Sequence, residues 1–230
     1  MMKYLVIVPA RGGSKGIKDK NIIDINGKPL LYYTITLALQ LFNENKISKL
    51  VLSTDSKKIA KIGTKLGLEV PFIRPVNISG DKAKSCSYVL HAIEFYESKN
   101  IYFDAVIILQ PTSPLRSYDD ISGAINLFND SKNADSLISC YADETINELI
   151  LYRKDQNFAI PLNKAHNKGV RRQEHDEVYI RNGAIYIVST KYVKKTNLLV
   201  SETPLMYEMP KSRSINLDTQ EDLKIIRNIL

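Results

Sequence analysis

Short, uninterrupted aliphatic runs separated by amphipathic stretches restrict the fold more than any other feature of this chain. Residues 5–8, 50–52, 105–109 and 137–140 lack the in–out alternation of a half-exposed strand. Such runs suit strands covered on both faces, as parallel sheets are. Between them lie helical stripes. Leu31, Ile35, Leu39 and Phe42 follow Pro29, which suits the first position of a helix. Ile59, Ile62 and Leu66 follow a Ser53-Thr54-Asp55-Ser56 cap and end at Gly67. Val89, Ile93 and Tyr96 share a face, and Ile121, Ile125 and Phe128 follow a Ser117…Asp120 capping box. With a further short strand at 70–73, strand and helix alternate for 140 residues. This predicts an α/β fold with a mostly parallel, doubly wound, Rossmann-like sheet.

The pattern breaks at 141–179, where polar residues dominate and β-rich pieces such as 149–152 appear. The stretch reads as a β-rich excursion inserted into one domain spanning 1–230, because a single core can grow to about 250–300 residues. The chain then returns with strands at 183–188 and 205–209, and a last helix with Leu223, Ile226 and Leu230 inward.

No apolar run approaches the roughly 20 residues that span a bilayer, and no leader-like segment precedes the first strand. A cytoplasmic protein without a membrane partner is expected. Cys86 and Cys140, isolated in sequence, are expected to be reduced and in or near the core. The net charge of +7 is spread along the chain without a nucleic-acid motif, so a small anionic substrate is expected in place of nucleic acid. His91 lies beside an apolar stripe, and His166 and His175 lack ligand spacing, so no metal is assigned to the histidines.

The chemistry concentrates where the first strand ends. Pro9 stops the ladder, Gly12, Gly13 and Gly16 free the backbone, and Arg11, Lys15, Lys18 and Lys20 supply cations. Backbone amides and cations converging on one loop suit a polyphosphate. The spacing matches neither the Walker A loop nor the G-x-G-x-x-G dinucleotide turn. Two further polar segments, 53–56 and 110–116, also follow strands, and in open α/β sheets ligands bind beyond the carboxyl ends of the strands.

The segments PARGGSKGIKDKN, VLSTDS, LQPTSPLR, RRQ followed by RNGAIYI, and INLDTQEDL occur here in that order. In this the chain resembles the acylneuraminate cytidylyltransferases. The resemblance implies transfer of CMP from CTP to the anomeric hydroxyl of a nine-carbon 2-keto sugar acid, N-acetylneuraminate foremost. Pyrophosphate is released, and the CMP-sugar serves surface polysaccharide biosynthesis. It places Arg11, Gly12, Gly13, Ser14, Lys15, Lys20 and Asn21 on CTP. Arg11 and Lys20 would neutralise the leaving pyrophosphate, Asn21 would read base or ribose, and Arg74 and Ser85 would touch ribose and base. It assigns Gln110, Thr112, Ser113, Arg172 and Asn182 to the sugar, while Arg116 caps or pairs within the fold.

It also implies Mg2+ held before the last helix by an Asp-x-Asp pair, which here reads Asn216-Leu217-Asp218. A weaker metal requirement, or a metal held differently, is expected from that change. The catalytic set is then Arg11, Lys20 and Asp218. A homodimer is implied, with 141–179 as its arm and Leu199 and Val200 as an apolar wall for the partner. Where sialic-acid members carry a His-Pro element, residues 143–147 read DETIN. Legionaminic or pseudaminic acid, or Kdo, are therefore alternative acceptors, and a non-catalytic nucleotide-binding module is the alternative from another class.

Overall fold

The computed structural model describes residues 2–13, 16–131, 133–168 and 177–230. Its main sheet has six strands: β1 (Tyr4–Pro9), β4 (Lys49–Ser53), β5 (Ala105–Leu109), β6 (Ser136–Ala142), β9 (Tyr179–Ser189) and β10 (Leu205–Glu208), in the order β10-β6-β9-β5-β1-β4. β1 runs parallel to β4 and β5, and β10 runs parallel to β6. Only β9 is reversed, antiparallel to both β5 and β6. A small hairpin, β2 (Asp24–Ile25) and β3 (Lys28–Pro29), precedes the first helix.

The aliphatic runs behave as their composition requires. Tyr4, Val6, Val8, Leu50, Leu52, Ile107 and Leu109 pack on one face against α1 (Leu30–Asn43), α2 (Lys57–Lys65) and α4 (Tyr118–Asp130). Leu5, Ile7, Val51, Val106 and Ile108 pack on the other against α3 (Ser85–Glu97) and α5 (Thr190–Thr196). Successive side chains alternate between two covered faces, so neither face of a strand can be polar. The local signals hold as well. Ser56 accepts from the Ile59 amide, Ser117 and Asp120 form a reciprocal capping box, and Gly67 closes α2 at φ +90°. Gly63 is the close-packing point of α2, since a Cβ there would lie 2.2 Å from Leu52 Cδ2.

Several expectations are corrected. Residues 70–73 form no strand; the chain meets the sheet edge at a Val51–Glu69 bridge just before them. In α1 the buried line is Leu31, Ile35, Ala38 and Leu41, with Leu30 and Thr34 alongside, while Phe42 is 40% exposed. Pro29 takes the N-cap, one residue before the first helical position. Residues 148–150 are a 3-10 turn, and the β-structure of the excursion is the hairpin β7 (Tyr152–Asp155) and β8 (Phe158–Pro161). In α6 (Gln220–Ile229) Leu223 and Ile226 are buried, but the following Leu230 is exposed because the helix has ended. The returning strand begins at Tyr179 and is antiparallel, which a hydrophobic run cannot reveal.

That reversal has a consequence. β6 leaves the sheet, and β9 enters it, on the edge where β1, β4 and β5 end, with Cys140, Tyr141 and Ala142 opposite Arg181, Ile180 and Tyr179. The hairpin excursion therefore springs from the ligand edge. Its root is anchored by Asp143, which accepts from Lys211 at 2.8 Å and from Thr145, and these contacts hold its carboxyl down at about 2. Among the described residues, no helix is long and apolar enough to cross a membrane.

Candidate active site

Five chain segments meet beyond the strand ends: the glycine loop after β1, residues 53–56, residues 110–116, the start of β9, and residues 214–218. A third apolar cluster ties three of them together, because Ile17, Leu115 and Leu217 pack with Ile25, Leu30, Leu223 and Ile226. The Leu217 amide also donates to Thr112 O at 2.8 Å.

The glycine loop is built for close approach. Gly13 takes φ +67°, in the left-handed region that penalises side chains. A Cβ on Gly16 would stand 3.2 Å from Asp218 O, so the loop lies directly on the 217–218 backbone. The Gly12 amide donates to Asp55 Oδ1 at 2.8 Å, bracing the loop against the end of β4. Arg11 pairs with Asp81 at 2.7 Å. Lys20 donates from Nζ to Leu217 O at 2.8 Å and to Asp218 Oδ1 at 2.9 Å. Expected nucleotide residues Ser14 and Lys15 lie outside the described residues, as does Arg172.

Asn21 is buried and donates from Nδ2 to Arg11 O at 3.0 Å, so in this geometry its side chain braces the loop that carries Arg11. Arg74 is 4% exposed and fully engaged at its outer edge, with Nε on Ser53 Oγ, Nη2 on Ser53 O, and its guanidinium 4.7 Å from the Tyr88 ring centre. Burial pushes its pKa down, opposed by Tyr88 and Asp55. Ser85 does not cap α3, whose N-cap is Lys84; it is the first helical residue.

A cleft of about 330 Å³ opens between the α3 N-terminus (Lys84, Ser85, Cys86, Tyr88) and Gln110, Arg181 and Tyr186, with Leu199 and Val200 as an apolar wall. Leu199 and Val200 thus line this chain's own cleft. Cys140 is buried in the core as expected, whereas Cys86, also buried, sits at the cleft. A helix N-terminus with a lysine and an arginine opposite favours a carboxylate or phosphate. Arg181 and Tyr186 stand in the RNGAIYI segment without having been singled out. The strand reversal puts Arg181, near the start of β9, on the edge where β5 ends, and the bulge between Arg181 and Tyr186 brings both to the cleft.

Between β6 and β9 the register slips: Ile138 faces Tyr186, but Cys140 faces Arg181. The extra residues form a bulge around Asn182 and Gly183 (φ +72°), the kind of irregularity that re-aims side chains beside functional sites. Asn182 holds the bulge closed. Its Oδ1 accepts from Ser139 Oγ at 2.6 Å and Ala184 N at 3.1 Å, and its Nδ2 donates to Ser214 Oγ at 2.9 Å. The Asn182 side chain, 2% exposed, is committed to this network, and Ser113, fully buried, donates to Asn216 Oδ1. Gln110 and Thr112 remain partly accessible, with Gln110 on the cleft. Arg116 is internal as expected, donating to Ala184 O, Thr34 Oγ1 and Gln110 O, and burial pushes its pKa down to about 9.

Among the described residues, no three His, Cys, Asp or Glu side chains gather as a metal cage. Asp218 presents a carboxylate that is 68% exposed, while Asn216 has its oxygen on Ser113 and its Nδ2 on Asn182 O at 2.6 Å. This donor set fits a divalent ion bound by one carboxylate, with substrate oxygens and water completing the shell.

A family model described as Cytidylyltransferase matches residues 5–227. The chain is 34% identical over 98% of its length, and 95% of the relative's, to the pseudaminic acid cytidylyltransferase of Campylobacter jejuni. It is 33% identical over 96% of its length to the N-acylneuraminate cytidylyltransferase of Streptococcus agalactiae, spanning 52% of that longer protein. Among solved structures it is similar to a CMP:2-keto-3-deoxy-manno-octonic acid synthetase complexed with CTP. That similarity has a TM-score of 0.71 and covers 99% of this chain and 98% of that one; at 16% identity it bears on the fold alone.

Proposed function

The chain belongs to the cytidylyltransferase family, and from that premise we propose that it transfers CMP from CTP to the anomeric hydroxyl of a nine-carbon 2-keto sugar acid. The observation that carries this reading is the abutment of the cationic glycine loop on residues 217–218, together with a cleft at the strand ends that has its own cations. The triphosphate lies against Arg11 and Lys20, and the sugar acid occupies the cleft with its carboxylate toward Arg181 and Lys84. The sugar hydroxyl oxygen forms a bond to the α-phosphorus, its proton passing to solvent water, as the bond to the pyrophosphate oxygen breaks. Arg11 and Lys20 offset the charge growing on the leaving group, and the walls hold attacking and leaving oxygens in line. Asp218 would hold Mg2+, which when bound neutralises phosphate oxygens.

The two curated relatives above differ in the sugar they are named for and are almost equally similar to this chain. The reading is therefore of the nonulosonic acid class, which includes N-acetylneuraminate and pseudaminate. The test is pyrophosphate release with Mg2+, crossing four nucleotides against N-acetylneuraminate, legionaminate, pseudaminate and Kdo. Release with CTP and at least one nine-carbon acid is expected. Release with no pair, despite CTP binding, would replace the enzyme with a nucleotide-binding module.

The protein also acts as a homodimer joined through the excursion. What supports this is the apolar load on the exposed β7–β8 hairpin, where Phe158 is 72% and Leu162 58% exposed. In light scattering the native chain should have twice the monomer mass, and Phe158→Glu should halve it. A native monomer at micromolar concentration would overturn the dimer.

A further inference from the structure

We propose that Asn216 is a positioning residue that locks the acceptor side of the cleft, and that it does not bind the metal. This rests on the reading of the cleft as the sugar site. Its amide is gripped at both ends. Nδ2 donates to Asn182 O at 2.6 Å, and Oδ1 accepts the hydroxyl of buried Ser113. One end faces a carbonyl and the other a hydroxyl, so the residue must present a donor and an acceptor on a planar fork. Asparagine does this, whereas a carboxylate would turn an acceptor onto the Asn182 carbonyl.

The fork joins three segments that have no covalent reason to stay together: residues 110–113, the bulge at 182–183, and residues 214–218. Asn182 continues the connection inward to Ser139 on β6 and to Ser214. What surrounds the fork is the acceptor wall. A Cβ built on Gly183 would meet Asn216 Nδ2 at 3.5 Å, Tyr186 Oη at 3.8 Å and Gln110 Oε1 at 3.9 Å. The bulge needs its positive-φ glycine there, and Asn216 sets how far that glycine stands from Gln110. The CTP loop has braces of its own at Asp55 and Asp81, besides the Lys20 contacts it makes with residues 217–218. Since the Asn216 oxygen already holds a hydroxyl, Asp218 is left as the carboxylate for a cation.

The experiment compares Asn216→Asp and Ser113→Ala with the native enzyme. It measures KM for the sugar acid and for CTP, the Mg2+ concentration giving half-maximal rate, CTP affinity by calorimetry, and Tm. Loss of a buried hydrogen bond of about 1–2 kcal/mol should raise the sugar KM roughly tenfold in each variant. CTP affinity and KM should stay within about twofold, because the Asp55 and Asp81 braces share no partner with Asn216, and the Mg2+ midpoint should not fall. A Mg2+ midpoint that falls in Asn216→Asp with sugar KM unchanged would overturn the proposal, making position 216 a metal-ligand position. Equal weakening toward CTP and sugar would also overturn it. If Asn216→Asp does not fold, Ser113→Ala, which removes only one partner, carries the KM comparison. The underlying reading fails separately, if the native enzyme itself turns over no nine-carbon acid.

Discussion

Replacing Lys20 with alanine is expected to lower turnover about a hundredfold or more, a loss typical of removing one preorganised charge partner from a developing anion. Lys20 is singled out by its placement. Its side chain is 14% exposed, with Nζ fixed between Leu217 O and Asp218 Oδ1. A cation held at the junction of the glycine loop and the 217–218 backbone does not have to be ordered at the moment pyrophosphate departs. The two acceptors also keep it paired before the nucleotide arrives. In the proposed reaction Lys20 gives up part of the Asp218 contact to phosphate oxygens, leaving that carboxylate available for Mg2+. Lys18, exposed on the same loop, is the control, and its alanine variant should stay within about threefold, as a solvated surface charge should. Steady-state pyrophosphate release, with circular dichroism to show both variants folded, checks the pair. Near-normal turnover in Lys20→Ala would remove it from the catalytic set.

The largest effect on stability is expected at Asp120. Its side chain is 2% exposed at the start of α4, where one carboxylate does three jobs. It closes the capping box with Ser117, and it takes a two-pronged contact from Arg213, Nε to Oδ2 at 2.9 Å and Nη2 to Oδ1 at 2.7 Å. It is also the acidic group that counters buried Arg116. Arg213 is 40% exposed and can turn to water, but the cap is lost and the hydrogen bonds at buried Asp120 go unmade, so Asp120→Ala should cost about 2–3 kcal/mol, read as a fall in Tm and in the denaturant midpoint.

The pH dependence follows in sign. Burial alone would raise the Asp120 pKa, but the Arg213 fork and the Ser117 amide and hydroxyl outweigh it and hold the carboxyl below its ordinary value. A depressed folded pKa gives stability that is fully present above the unfolded value of about 3.9 and is lost as pH falls through the folded value. The native protein should therefore lose this contribution on acidification below about pH 4. The alanine variant should show a shallower loss over the same range, and equal slopes would contradict the assignment.

Much of this was legible in the residues themselves. Runs such as 105–109 have no polar face, so they had to be strands covered twice, and the caps at Ser56 and Ser117 mark helix starts through local hydrogen bonding. The glycine loop announced an anion because its cations and its freedom from Cβ atoms lie within a few consecutive residues. Where the reading failed, the deciding partner was distant in sequence. Nothing near Phe42 says that α1 turns Ala38 and Leu41 inward instead. Asn182 and Ser113 have the right chemistry to touch a sugar, yet their hydrogen-bonding capacity is spent on Ser139, Ser214 and Asn216.

The sequence by itself determined the class of fold, the order of the buried strands and long helices, and where the cationic glycine loop lies, since each is set by neighbours a few residues apart through sterics, periodicity and local hydrogen bonds. Only the tertiary structure decided that β9 runs backwards, that its bulge places Arg181 and Tyr186 on the cleft, and that Asn216 is spent as a brace. Those outcomes depend on strand pairing and on donors meeting acceptors across 34 to 103 residues of chain, and a one-dimensional pattern carries no signal for which distant group completes which bond.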